Sequence, residues 1–212
     1  MSATRPVIVL GAGGHAKVAI AALQAAGVEI VGAADSDAAT HGKSILGVKV
    51  LGGDEAVMKR NKDEIALVNG VGSTQPSPRR RDVFERFKQA GYGFRAVMHP
   101  SAMVGPEVDI GEGAQIMAGA VIQPGCRIGT DAIVNTRASV DHDCVIGAHA
   151  HVAPGAVLGG GVRVGEGAHI GAGSTVIQNI SVGAGALVSA GAAVVADVAA
   201  GGRVAGVPAR KM

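Results

Sequence analysis

An aliphatic side chain stands at every sixth position from Val104 to Val194: Val104, Ile110, Ile116, Ile122, Ile128, Val134, Val140, Ile146, Val152, Leu158, Val164, Ile170, Val176, Val182, Val188 and Val194. A period of six fits neither a 3.6-residue helix nor an alternating strand, and it predicts a parallel β-helix in which each hexad forms one short side of a coil. Two residues before the aliphatic the side chain is nearly always small (Ala102, Ala114, Ala120, Cys126, Ala132, Ala138, Cys144 and onward), as a tight corner requires. The residue after it is glycine at 105, 111, 129, 147, 159, 165, 171 and 183. Glycine there answers either a positive φ or a close approach by the neighbouring coil. If three hexads complete a coil, residues eighteen apart stack in one column.

The first hundred residues carry a different pattern. Pro6-Val-Ile-Val-Leu10 is an apolar run suited to a buried strand, and it opens through Gly11-Ala-Gly-Gly-His15 into an alanine-rich helix from about Ala16 to Ala26. Strand, glycine loop and helix make a phosphate-binding arrangement, because free N–H groups and the helix dipole at the helix start favour an anion. A second strand, Glu29 to Ala34, ends at Asp35, close to where a Rossmann-like unit places an acid that bonds a sugar or base. Strands at Ile65–Val68 and Phe94–Val97 and helices at Asp54–Asn61 and Pro78–Ala90 complete the part. The expected organisation is a small α/β Rossmann-like domain over 1–98, followed by the β-helix and a C-terminal tail over 99–212. Ala16 replaces the third glycine of the dinucleotide fingerprint, and the domain is too short for two mononucleotide halves, so one nucleotide is expected rather than NAD. The run Arg79-Arg-Arg81 reads as a solvated helix start, against the alternative of a phosphate clamp.

Composition narrows the class. Aromatic residues are 2% of the chain and glycine numbers 34 of 212, an economy that a ladder of stacked aliphatics can support and that a collagen period does not explain. The formal charge of +2 gives no reason to invoke nucleic acid. No apolar run approaches the roughly 18 residues of a membrane span, and no secretory signal is seen, so a cytoplasmic protein with no membrane partner is expected. Cys126 and Cys144 are eighteen apart and fall in one column. A disulfide between them is conceivable, but in a reducing compartment they are expected as two small corner thiols.

Of seven histidines, His142 is the most chemically marked, set in Val140-Asp-His-Asp-Cys144. A carboxylate beside a histidine fixes its tautomer and makes it more basic, as general-base work requires, whereas the alternative is a surface histidine on a polar corner. Eighteen residues on lies Gly159-Gly-Gly161, bare backbone whose N–H can steady a developing oxyanion and which leaves room for a long thin substrate arm. His151 and His169 share another column, either as outward polar residues or as part of an acyl-donor groove.

The hexad ladder, the loop Gly11–His15, the Asp141-His-Asp143 segment and the ending Gly206-Val-Pro-Ala-Arg210 together resemble the sialic acid O-acetyltransferase and nucleotide-sugar N-acetyltransferase branch of the left-handed β-helix acyltransferases, over essentially the whole chain. Within it the chain is most similar to enzymes that N-acetylate a 4-amino-4,6-dideoxy sugar on a nucleotide, among them the bacillosamine-pathway and GDP-perosamine N-acetyltransferases. The resemblance implies acetyl-CoA as co-substrate, no metal, and a homotrimer with CoA between subunits. It implies His142 as base and Asp143 as the acid that orients it. His151, His169, Gly160 and Ala172 would lie along the acetyl-CoA, with the Gly160 amide facing the thioester oxygen. Gly13, Gly14, His15, Asp35 and Ser36 would contact the nucleotide sugar. A sugar O-acetyltransferase, a zinc carbonic anhydrase-like β-helix and a non-catalytic nucleotide-sugar sensor are the competing readings.

Overall fold

The computed structural model describes residues 5–212; the first four lie outside it. Strand β1 (Val7–Leu10) leads into helix α1 (Gly14–Ala25) and β2 (Ile30–Ala34), and a short hairpin of β3 (Ser44–Ile45) and β4 (Val48–Lys49) precedes helix α2 (Asp54–Met58). Strand β5 (Ala66–Asn69) and helix α3 (Pro78–Gln89) follow. The three long strands form a parallel sheet in the order β2-β1-β5. Both faces of that sheet are covered, which is why β1 is an uninterrupted apolar run with every residue buried. On one side α1 buries Ala16, Ala19, Ile20 and Leu23, the spacing of a single helix face. On the other, Phe84 and Phe87 of α3 pack with Ile8, Leu10 and Leu67. Since the chain leaves β1 toward β2 on one side and returns to β5 on the other, the loops after β1 and β5 part at a topological switch point, and a crevice opens at the carboxyl ends of these strands.

From residue 97 onward the chain is a left-handed parallel β-helix of about six turns. Its two-residue strands pair with a shift of eighteen, as in Ile133↔His151 and His151↔His169, so three hexads complete a coil. Three flat faces result. The docked face begins with Val97–Met98 and runs through Gln115, Ile133, His151, His169 and Leu187, and the N-terminal part sits against it. The apolar face carries Met103, Val121, Ser139, Val157, Thr175 and Ala193 on its outer side, and the charged face Asp109, Arg127, Val145, Arg163 and Ser181. The ladder aliphatics point inward and form one continuous core, each contributing about 1.5–3 kcal/mol relative to exposure.

The corners resolve the two roles left open for glycine. Positive φ recurs every sixth residue from Glu107 to Gly191, three positions after the ladder aliphatic, and the set includes Asp131, Arg137, Asp143, His149 and Asn179 as well as glycines. The glycines that directly follow the aliphatic are instead sites of close approach: a methyl on Gly129 would lie 2.6 Å from the Ala148 nitrogen of the next coil.

A buried ion pair fastens the two parts together. The Arg80 guanidinium donates to the carbonyls of Asn69 and Val71 and to both the carbonyl and the carboxylate of Asp131, with Nη2 2.7 Å from Oδ1. Asp131 also accepts from Asn69 Nδ2 and faces His149 Nδ1 at 3.1 Å. This corrects the expectation of a solvated arginine run at Arg80, while Arg79 and Arg81 are exposed. Successive helical residues diverge by about 100°, so Arg80 alone turns inward, where a corner carboxylate and three carbonyls replace its water. Among the described residues no helix is long and apolar enough to cross a membrane.

Candidate active site

His142 and Asp143 sit on the corner between the apolar and charged faces. Asp143 occupies the left-handed turn position, φ 59°, a conformation that aspartate tolerates better than most residues. From there its Oδ2 lies 2.8 Å from His142 Nδ1, while Asp141 Oδ1 accepts the His142 backbone N–H at 2.7 Å. The carboxylate therefore holds the proton on Nδ1 and leaves the Nε2 lone pair outward. The bond from Asp143, and after it the charge of Asp141, raises the His142 pKa above its ordinary 6.5.

Two glycines make room for this pair. A methyl on Gly160 would lie 2.6 Å from His142 Nε2, and one on Gly125 would lie 2.6 Å from Asp143 Oδ1. The N–H groups of Gly159 and Gly161 are both bonded to the neighbouring coils, whereas that of Gly160 has no partner among the described residues. The Nε2 of His142 thus lies against the bare backbone of Gly160, whose N–H is not spent within the chain. Gly160→Ala is expected to keep the melting temperature, because the exposed imidazole can swing aside, while lowering turnover at least about tenfold by taking Nε2 off its line of attack. Unchanged turnover in a folded Gly160→Ala variant would show that the ring position is unimportant.

The cysteines brace the same corners. Cys126 Sγ donates to the Asp141 carbonyl and Cys144 Sγ to that of Gly159, and both thiols are free and buried. Burial pushes the Cys144 thiol up to about 12 and Cys126 in the same direction, which removes either as a thiolate nucleophile.

A separate cavity of about 810 Å³ opens where the switch point meets the docked face. Gly13, Gly14, His15 and Asp35 line it from the N-terminal part, and Asn135, His151, His169 and Ala172 from the β-helix, after which it continues to Leu187–Ala190. Its size is that of a ligand site. Hydrogen bonds fix the state of its histidines. Gln115 Nε2 donates to the Asn69 carbonyl, so Gln115 Oε1 accepts from His15 Nε2 at 2.8 Å and His15 Nδ1 is left as an acceptor. Asn135 Oδ1 accepts from Thr136, so its amide nitrogen donates to His151 Nε2 and His151 Nδ1–H donates to Ser73 Oγ. Burial, with the Arg80 charge adding to it, lowers the His15 pKa to about 4; burial and then His169 lower that of His151 to about 3. His169 is shifted down by burial as well and stacks edge-on against His151. Asp35 uses one oxygen on the Ala12 N–H and the other on the Asp37 N–H, fixing the glycine loop. Ser36 lines an adjoining hollow of about 60 Å³ and not the main cavity.

Asn135, Ser73, Gln115 and Gly125 belong to these sites and do not stand out in the sequence. Gly125 and Gln115 were open to column counting, since Gly125 lies eighteen before Asp143 and Gln115 two coils before His151. His142, Asp143 and Gly160 do not line the cavity. In a three-sided coil the corner between the apolar and charged faces is the vertex opposite the docked face, so within one chain the dyad and the cavity look in different directions. Among the described residues no group of three or more His, Cys, Asp or Glu side chains is placed to hold a metal.

Residues 6–87 match the PglD N-terminal domain, and residues 107–140 match the bacterial transferase hexapeptide repeat. No curated protein matches the chain. Among solved structures, the acetyltransferase domain of PglB from Neisseria gonorrhoeae is 36% identical, covers 99% of this chain and 100% of its own, and superposes with a TM-score of 0.91. The same domain is found in complex with acetyl coenzyme A, at 36% identity over 98% of this chain and 99% of that one, TM-score 0.91. An alanine-for-histidine mutant of GDP-perosamine N-acetyl transferase from Caulobacter crescentus, in complex with CoA and GDP-perosamine, is 37% identical over 99% of this chain and 98% of that one, with a TM-score of 0.92.

Proposed function

Because this chain belongs to the hexapeptide acyltransferases that carry a PglD-type N-terminal domain, we propose that it transfers the acetyl group of acetyl-CoA to the C4 amine of a nucleotide-linked 4-amino-4,6-dideoxy sugar, GDP-perosamine first and a UDP-linked 4-amino sugar next. The observation that carries the reading is His142 Nε2 facing the bare backbone of Gly160, with a nucleotide-sized cavity at the switch point of the same molecule. The acceptor nitrogen attacks the thioester carbon, and the negative charge that develops on the carbonyl oxygen is met by the Gly160 N–H. His142 Nε2 takes the proton from the attacking nitrogen, the carbon–sulfur bond breaks, and the proton passes to the departing thiolate to give CoA. His151, neutral and held by Asn135 and Ser73, shapes the wall near the thioester, and Ala172 leaves a smooth path for the pantetheine arm.

The partner for this reaction is a second copy of the chain. Met103 and Val157 are 64% and 43% exposed on the apolar face, and Ile177 and Val195 lie bare at its edge. Three copies with that face turned to a common axis bury this surface and set the His142 corner of one copy against the corner of the next that carries Pro154 and Ala172, where the cavity ends. This favours a homotrimer with CoA between neighbours. Two free thiols agree with a reducing, cytoplasmic site, from which the acetylated sugar would enter surface-glycan synthesis.

GDP- and UDP-linked 4-amino sugars, and their 4-hydroxy counterparts, presented with acetyl-CoA while thiol release is followed, test the reading. Turnover is expected with an amino sugar and not with its hydroxy counterpart. Transfer to the hydroxy sugar alone would make the enzyme an O-acetyltransferase, and no transfer to any of them would remove the nucleotide-sugar acceptor.

A further inference from the structure

Three consecutive arginines open α3, and the helix sends them to three destinations. Arg80 is interior and spends its donors on Asp131 and on carbonyls. Arg81 forms a surface pair with Glu166 at 2.7 Å. Arg79 has neither kind of partner: among the described residues no carboxylate or carbonyl accepts from its guanidinium, and its one hydrogen bond is from its backbone N–H to the capping Ser77 hydroxyl. Its side chain lies in the wall of the main cavity and of the small hollow beside Asp35.

Charge across the cavity gives that position its meaning. Among the side chains lining the cavity, Arg79 is the single lysine or arginine and Asp35 the single carboxylate. Both Asp35 oxygens already accept backbone N–H groups. His15 and His151 are neutral at physiological pH, their pKa values lying near 4 and 3 because of burial. A diphosphate entering this cavity therefore finds one cation without a carboxylate partner, plus the N–H groups at the start of α1 on the β1 side of the switch point. Arg79 stands on the other side, in the first turn of the helix that follows β5. A guanidinium suits this task because its planar fork can bond two phosphate oxygens at once.

We propose that Arg79 clamps the diphosphate of the nucleotide sugar from the β5 side, opposite the N-terminus of α1, and so makes the pocket select diphosphate-bearing ligands over nucleosides. The proposal rests on the reading of the cavity as a nucleotide-sugar site. It also explains why three arginines in a row are not redundant: one locks the two parts of the chain, one decorates the surface, and one meets the substrate.

Calorimetric binding of GDP, UDP, guanosine and uridine to the full chain and to Arg79→Gln and Arg79→Lys tests it. Loss of the charged clamp is expected to weaken binding of the nucleoside diphosphate that the wild-type chain accepts by about tenfold to a hundredfold. Nucleoside affinity, melting temperature and the KM for acetyl-CoA should stay where they were. Arg79→Lys should recover part of the loss, and the diphosphate affinity of the Gln variant should depend less on salt than that of the wild type. An equal loss for nucleoside and diphosphate would make Arg79 a scaffold residue, and unchanged diphosphate affinity would remove it from the site; either overturns the clamp while leaving the nucleotide reading intact. A wild-type chain that binds neither GDP nor UDP would overturn both together.

Discussion

His142→Asn is expected to lower the rate of acetyl transfer by at least about a hundredfold, the scale of a lost general base, while the melting temperature and nucleotide binding stay unchanged. The separation of the two effects follows from where the residue sits. Its side chain is 62% exposed, touches Asp143, and packs in no core, so its removal opens no cavity and orphans no buried group. The pH dependence carries the more particular signature. In the proposed mechanism the neutral imidazole is the working form, so kcat/KM should rise as pH rises through the His142 pKa. Hydrogen bonding to Asp143, followed by the charge of Asp141, stabilises the protonated form and places that midpoint above 6.5. Asp143→Asn removes the larger of these supports, so its midpoint should move to lower pH even as its maximal rate falls. Near-normal turnover in the His142→Asn variant would dispose of the base assignment. A midpoint that moved upward in Asp143→Asn would show that the titrating group is some other residue.

The same corner shows what a repeat can disclose. A β-helix stacks one coil on the next at a fixed shift, so counting in eighteens places side chains that are distant in the chain. Gly160 beside His142 and His169 beside His151 were both legible this way, because backbone pairing sets those positions and no tertiary choice enters. The left-handed turn was less legible, since its position is filled by Glu107, Asp131, Arg137, Asp143, His149 and Asn179 as well as by glycines, and only the backbone angle unites them. Arg80 was not legible at all. Its fate depends on Asp131, fifty-one residues later, and on which face of the coil receives the N-terminal part. Periodicity assigns a residue to a column but does not say what docks on that column. For the same reason Ser73, which with Asn135 of the preceding coil fixes the tautomer of His151, is an ordinary polar residue in the sequence and becomes informative only when docking brings it within 3.0 Å of the ring.

Which side of the coil each half of the chemistry occupies leads to the second large effect: two inactive variants, mixed in one assembly, should regain activity. His142→Asn leaves the cavity whole. Gly13→Trp blocks it, and does so cleanly, because Gly13 has an ordinary φ of −84° and a methyl built there meets nothing within 4 Å, so the indole can grow into the cavity without disturbing the loop. Each variant alone should be nearly inactive. If the dyad of one copy serves the cavity of the next around a threefold axis, then co-expression of the two chains in equal amounts gives assemblies in which about a quarter of the sites combine an intact dyad with an intact cavity, and activity should return to about that fraction of wild type. Were dyad and cavity to act within a single chain, every site in the mixture would carry one defect and the mixture would stay inactive. The measured quantity is turnover of the whole co-expressed population against each parent; doubly tagged trimers purified from it carry one intact site in three and should reach about a third of wild type. The outcome depends on the apolar face, which in the proposed trimer brings Met103, Val121 and Val157 to the shared axis: a charge introduced at Val157 should dissociate that assembly and abolish the recovered activity along with that of the wild type.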